Sequence, residues 1–301
     1  MSQRKMLQFS TGALLLLLPW FGGLVLGEVV NDFSNCKQFF YMDTPPTGIT
    51  GNDYQPICQR YNNKYRFATL YDRARRSALY SAYILSSPDG GRDDETWMYE
   101  PQLANIKGNP SMQELNLNPD NNVKTSQAVL EDYRGSLYTR GHLTPSMHQH
   151  SLDDRKATYT LTNIVPQWEG SNSGPWRELE EEVLREFNKC CKGQMYVITG
   201  VLPGNKWMNS RVSVPDYLWS AYCCPDHTQN LPECQSFFPT YAAVGSNLKV
   251  KPAGDTVGVR IDGFHVTRMS LNSLERILKD RPGMPIVSLF DGQCKEMDDK
   301  L

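Results

Sequence analysis

Beyond its first 27 residues the chain has no apolar run near the roughly 20 residues that a membrane-spanning helix needs, so nothing after that point predicts a span. It has no surplus of positive charge either: 31 Lys and Arg stand against 33 Asp and Glu. Tight, unspecific coating of DNA depends on counterion release from a basic surface, and an acidic balance argues against it while leaving room for a local basic groove. No G-x-S-x-G elbow is present, which removes the usual sequence support for Ser-His-Asp hydrolase chemistry. Asn109-Pro110-Ser111 is blocked as a glycosylation acceptor by its proline. Internal repeats, low-complexity tracts and tether-length linkers are absent, and that points to one domain.

What is there begins with an export signal. Arg4 and Lys5 precede the short apolar run "ALLLLLPWFGGLVLG", and Val25 and Gly27 suit cleavage after Gly27. Pro19 and Gly22-Gly23 interrupt the run, so it reads as a leader over residues 1–27 and not as an anchor. The mature part, residues 28–301, loses two cations and keeps 29 basic against 33 acidic residues. A secreted chain is the expectation. Eight cysteines (Cys36, Cys58, Cys190, Cys191, Cys223, Cys224, Cys234 and Cys294) then read as disulfides. Zinc is the competitor, since "CCPDHTQNLPEC" clusters Cys223, Cys224, His227 and Cys234. Adjacent cysteines lack the usual gap of a chelating pair, and disulfides are the better reading.

The elements suggest an α+β fold with a mixed sheet core. "YRFATLYDRARRSALYSAYIL" predicts two strands around a turn at Asp72–Arg75. "ATYTLTNIVPQ" alternates at Tyr159, Leu161 and Asn163 and predicts a strand ending at Pro166. In "NSGPWRELEEEVLREFNKCC" a helix starts at Pro175 behind Ser173 or Gly174. "QMYVITG" and "VPDYLWSAY" read as strands, and "SLNSLERILKDRPG" as a second helix ending before Pro282.

Two places carry chemistry. "YTRGHLTPSMHQH" holds three of the five histidines behind Arg140-Gly141, and by itself leaves a metal site, a catalytic base and a surface loop open. His148 and His150 are expected to face solvent, with a weaker alternative in which they join His142 on zinc. The second place is the long helix. At about 100° per residue its apolar positions Trp176, Leu179, Val183, Leu184 and Phe187 share one arc, and Glu180 alone among its glutamates falls inside it. A carboxylate there needs a partner or a hydrated site. Asn172 lies just before the helix start. His265 is expected in a strand, His227 in a structural loop, and "RARR" at 73–76 on a solvated surface.

"RGH" at 140–142, "TNIVPQ" at 162–167 and "N…PWRELE" from Asn172 to Glu180 together resemble the DNA/RNA non-specific endonucleases with a ββα-metal finger. The order and the intervals match: 21 residues from His142 to Asn163, nine more to Asn172 and eight to Glu180. The flanks "ATLYDRARRSALYSAY", "EPQL", "VITGVLPG" and "VPDYLWSAYCC" look like the vertebrate endonuclease domain-containing 1 group. The resemblance covers most of residues 30–290 and makes 28–301 one endonuclease domain. It implies His142 as general base, Asn172 as the one direct protein ligand to Mg²⁺ (or Mn²⁺) and Glu180 as the carboxylate that orients the ion's waters. Asn163 would fix the His142 ring or the substrate, and Arg140 a phosphate or the loop. DNA and RNA, held by their phosphate backbones, are the implied substrates.

The chain departs from the pattern in three places. Thr139 stands where the family has Asp. Leu184 stands where it has a phosphate-binding arginine, with Arg185 one residue off. An upstream arginine has no clean counterpart; Glu95 falls near its position, and Arg92 is the nearest cation. The runner-up expectation is therefore an extracellular nucleic-acid-binding protein that keeps the fold without turnover.

Overall fold

A computed structural model describes residues 29–91, 95–249, 263–281 and 287–294. The expected leader, residues 1–27, and Arg92 lie outside them. Strands follow the chain as β1 (Tyr54–Tyr61), β2 (Lys64–Asp72), β3 (Ser77–Leu85), β4 (Met98–Tyr99), β5 (Gln113–Glu114) and β6 (Tyr138–His142). Next come β7 (Ile164–Trp168), β8 (Met195–Met208), β9 (Val212–Cys223), β10 (Thr240–Ser246) and β11 (Val266–Met269). The helices are α1 (Pro101–Ala104), α2 (Asn121–Ser126), α3 (Leu130–Tyr133), α4 (Leu152–Ala157), α5 (Glu169–Asn172), α6 (Pro175–Cys190), α7 (Pro232–Gln235) and α8 (Leu271–Lys279).

Seven strands form the main sheet in the order β1-β2-β3-β8-β9-β10-β11. The α+β class holds, and the pairing is antiparallel throughout that sheet instead of mixed. Both faces are buried, and the two-residue period of a strand divides the side chains between them. On β9, Tyr217, Trp219 and Ala221 join one core and Leu218 and Tyr222 the other. On β8, Ile198 and Leu202 share the first, Val197 and Val201 the second. The N-terminal aromatics Phe33, Phe39 and Phe40 and the α8 leucines 271, 274 and 278 cover the first face. Trp176, Leu179 and Val183 of α6 cover the second. α6 lies close enough that a Cβ on Gly245 of β10 would sit 2.6 Å from the Trp176 ring. Glycine at 245 is what leaves room for the indole against the sheet.

Where the helix was expected, α6 begins with Gly174 as its cap and Pro175 at the first position. α8 starts on Ser270, whose hydroxyl accepts from the Ser273 amide. The segment "ATYTLTNIVPQ" behaves differently from its pattern. Tyr159 and Leu161 are buried, but they lie in a turn that hydrogen-bonds to both sides of Met98, and β7 runs only from Ile164 to Trp168. Alternation there marks burial under Trp97, not a ladder. The "RARR" cations are used at the β2–β3 turn: Arg75 pairs with Asp72, and Arg76 donates to the Thr125 and Arg211 carbonyls.

All eight cysteines pair, as Cys36–Cys58, Cys190–Cys234, Cys191–Cys224 and Cys223–Cys294. The zinc alternative at the cysteine cluster is thereby removed. Two adjacent bridges fasten the end of α6 to the segment after β9. His227 lies in that segment, buried, with its ring stacked on Phe238.

Candidate active site

β6 and β7 form a two-stranded hairpin outside the main sheet, and α6 follows it through the short α5. This is a ββα unit. Asn247, at the end of β10, clamps it to the sheet: its amide nitrogen donates to the Pro166 and Pro215 carbonyls, and its oxygen accepts from the Trp168 amide. Nothing in the sequence singled out Asn247. Its neighbours Ser246 and Leu248 carry no motif, and its importance comes only from chain segments far apart in sequence.

A cavity of about 280 Å³ opens between the hairpin and α6. His142, Arg140, Asn172 and Glu180 all line it, with Thr139, Glu95, Trp97, Tyr159 and Arg177. His142 is the last residue of β6, half-buried between Tyr159 at 5.2 Å, perpendicular to it, and Trp97 at 5.7 Å. Packed rings on two sides fix the imidazole plane. The Arg140 guanidinium lies 4.4 Å over Trp97 and 3.5 Å from Glu95. Stacking on the indole leaves the edges of a planar guanidinium available to an anion.

Asn172 donates its amide hydrogen to the Thr139 hydroxyl at 3.0 Å, and Thr139 passes its own hydrogen to the Gln167 carbonyl at 3.0 Å. The nitrogen is thus committed, and Oδ1 is the atom left to face a cation. Thr139, which replaces an Asp of the family pattern, is the residue that fixes this orientation.

Asn163 is fully buried and outside the cavity lining; its oxygen accepts from the Thr144 amide and the Ser81 hydroxyl, and its nitrogen donates to the Thr144 and Thr158 carbonyls. These bonds tie it to the loop that follows His142. His148 is buried rather than solvent-facing, because α6 packs over it. Its Nε2 donates to the Glu180 carbonyl at 2.9 Å, and its Nδ1 accepts from the Tyr83 hydroxyl at 2.9 Å. The carbonyl can only accept, which fixes the tautomer. Burial drives the His148 pKa down to about 4, keeping the ring neutral. His150 is exposed, 2.7 Å from the Ser87 carbonyl. Of the three, only His142 reaches the cavity, so no three-histidine zinc site forms.

Gly141 leaves room for a side chain of β7. A Cβ there would lie 2.2 Å from Gln167 Oε1 and 2.8 Å from its Cβ. Gln167 needs that space to cross under β6 and donate to the Ser171 hydroxyl in α5. Leu184 packs with the second core, and Arg185 is exposed and outside the cavity lining.

A hairpin and a helix that bring a histidine, an asparagine and a glutamate to one polar cavity define a class of nucleases. A sequence model of the DNA/RNA non-specific endonuclease family matches residues 46–250, and the chain belongs to that family. Its similarity runs to the endonuclease domain-containing 1 proteins, 33% identical in human over 71% of this chain and 43% of that protein. The mouse protein is 31% identical over 88% of this chain and 48% of its own length. Human mitochondrial nuclease EXOG is 32% identical over 60% of this chain and 49% of its own. The chain spans about half the length of these curated relatives.

Proposed function

We propose that the chain is a secreted, Mg²⁺-dependent endonuclease that hydrolyses DNA and RNA phosphodiester bonds with little sequence preference and leaves 5′ phosphates. The observation that carries this reading is the convergence of His142, Asn172 and Glu180 on one cavity that also holds Arg140 and Arg177. Four disulfides support an oxidising destination, and with it export.

The residues fit such an ion. Among the described residues no group of three or more His, Cys, Asp or Glu is placed to hold a metal, so the cavity offers no protein cage. One amide oxygen, from Asn172, suits a cation that keeps most of its waters and takes the rest of its shell from substrate phosphate. Two carboxylates, Glu95 and Glu180, line the same space, and a polyanion enters it more readily once a cation offsets them. Bound Mg²⁺ (or Mn²⁺) supplies charge stabilisation to the pentacovalent phosphate and the departing 3′ oxygen.

His142 takes the proton of the attacking water as the water oxygen bonds to phosphorus and the bond to the 3′ oxygen breaks. Trp97 and Tyr159 hold the imidazole for that transfer. Glu180 accepts hydrogen bonds from water in the cavity and orients it. Arg140 donates to a phosphate oxygen while remaining stacked on Trp97. Contacts of this kind read the sugar-phosphate backbone and no base edges, which accounts for low sequence preference.

Titrating Mg²⁺ and Mn²⁺ into a plasmid-nicking assay with the oxidised chain 28–301 tests this reading. Nicking that rises with either ion and stops with chelation is the expected result. DNA binding without nicking at any divalent concentration would instead select the second reading, a binding protein without turnover, which the core-facing Leu184 favours.

A further inference from the structure

Among the described residues two arginines line the cavity, and their surroundings differ. The Arg140 head is held by Glu95 and the Trp97 face. Arg177 is 55% exposed and, among the described residues, pairs at 3.0 Å along its own helix with Glu181, itself 56% exposed. An exposed i,i+4 pair of this kind is weak and readily exchanged for a stronger anion. Arg177 also stands three residues before Glu180, so the two side chains are neighbours on one helix face. Arg177 lines the cavity together with Asn172 and Ser173, which precede α6.

We propose that Arg177 is a substrate-binding residue that leaves Glu181 to hold the phosphate adjoining the cleaved one. The inference rests on the nuclease reading and adds a contact to it. A planar guanidinium gives a phosphate two parallel hydrogen bonds, where a lysine gives a point charge. Arg140 would then hold the reacting phosphate and Arg177 its neighbour on the strand. Together they place two phosphate-binding cations beside the carboxylates of the cavity. Glu181 acts as a lid on the arginine: it keeps the guanidinium folded along the helix until a polyanion competes for it.

The test measures steady-state nicking of supercoiled plasmid across a salt series, with melting curves for each variant. Arg177→Ala is expected to raise KM about tenfold with kcat within about twofold, and to lower the salt slope of log kcat/KM by about one. Arg177→Lys should recover part of the KM, and Glu181→Gln should lower KM below that of the wild type. Arg185→Ala, an exposed cation two turns further along α6 and outside the cavity, should leave all of these unchanged. Melting temperatures should stay at the wild-type value, since the ion pair lost is on the surface. A wild-type KM and salt slope in Arg177→Ala, with active wild-type protein, would overturn the inference and leave the nuclease reading intact. If the wild type neither nicks nor binds plasmid, the nuclease reading fails, and the role of Arg177 fails with it.

Discussion

At the scale of the residue, the site depends on single hydrogen bonds that decide which atom faces the cavity. Thr139 turns the Asn172 amide by accepting its N–H. Thr139→Val keeps the shape and removes that acceptor, so the amide is free to rotate. The Mg²⁺ concentration for half-maximal nicking should rise about tenfold, with little change in melting temperature. His148 offers a second test. Its folded pKa of about 4 lies below the value of about 6.5 for an unfolded histidine. Between these limits the unfolded chain takes up a proton that the folded chain refuses, so stability falls as the pH drops from about 6.5 to about 4. The loss amounts to about 3 kcal/mol at the lower end. His148→Gln should flatten that slope in urea titrations at successive pH values. A slope equal to that of the wild type would locate the proton uptake elsewhere.

Elements add what single residues cannot. The hairpin β6–β7 presents Arg140 and His142, and α6 presents Arg177 and Glu180. Three links brace them: His148, from the segment after β6, to the Glu180 carbonyl of α6, Gln167 of β7 to Ser171 of α5, and Asn247, after β10, to β7. Gly141→Ala drives a methyl group into Gln167 and should cost about 1–3 kcal/mol of stability with a matching loss of nicking. Calorimetry beside the nicking assay would measure both, and an unperturbed variant would refute the packing argument. Much of this level was legible in the sequence. Glu180 stood out because helical periodicity placed a charge among apolar positions, and α6 begins at Pro175 as its signals require. Asn163 and His148 were visible as residues but not as structural ones. A histidine in a polar segment gives no sign that a residue 32 positions later will bond its ring, as the Glu180 carbonyl does for His148, and Asn163 is bound by Ser81, 82 positions earlier. Tyr159 and Leu161 show the converse: their alternation is real, and it arises from burial in a turn.

For the whole molecule, the sheet's two cores and the four bridges fix a platform on which a small ββα unit is mounted. The strand pattern made the α+β class readable, and the eight cysteines made the disulfides readable, but the pairing needed coordinates because 105 pairings share one sequence. Cys190–Cys234 and Cys191–Cys224 close loops of 44 and 33 residues at the far end of α6. In the chain-entropy picture each contributes about 4 kcal/mol, so reduction should lower the melting temperature steeply. Nicking at low temperature should survive it in part, because the cavity itself contains no bridge. The most direct measurement compares plasmid nicking by the oxidised wild type, His142→Ala and Asn172→Ala, each with Mg²⁺ and with EDTA. The account predicts at least a hundredfold loss in both variants and no activity for any protein in EDTA. Undiminished nicking by either variant would contradict it.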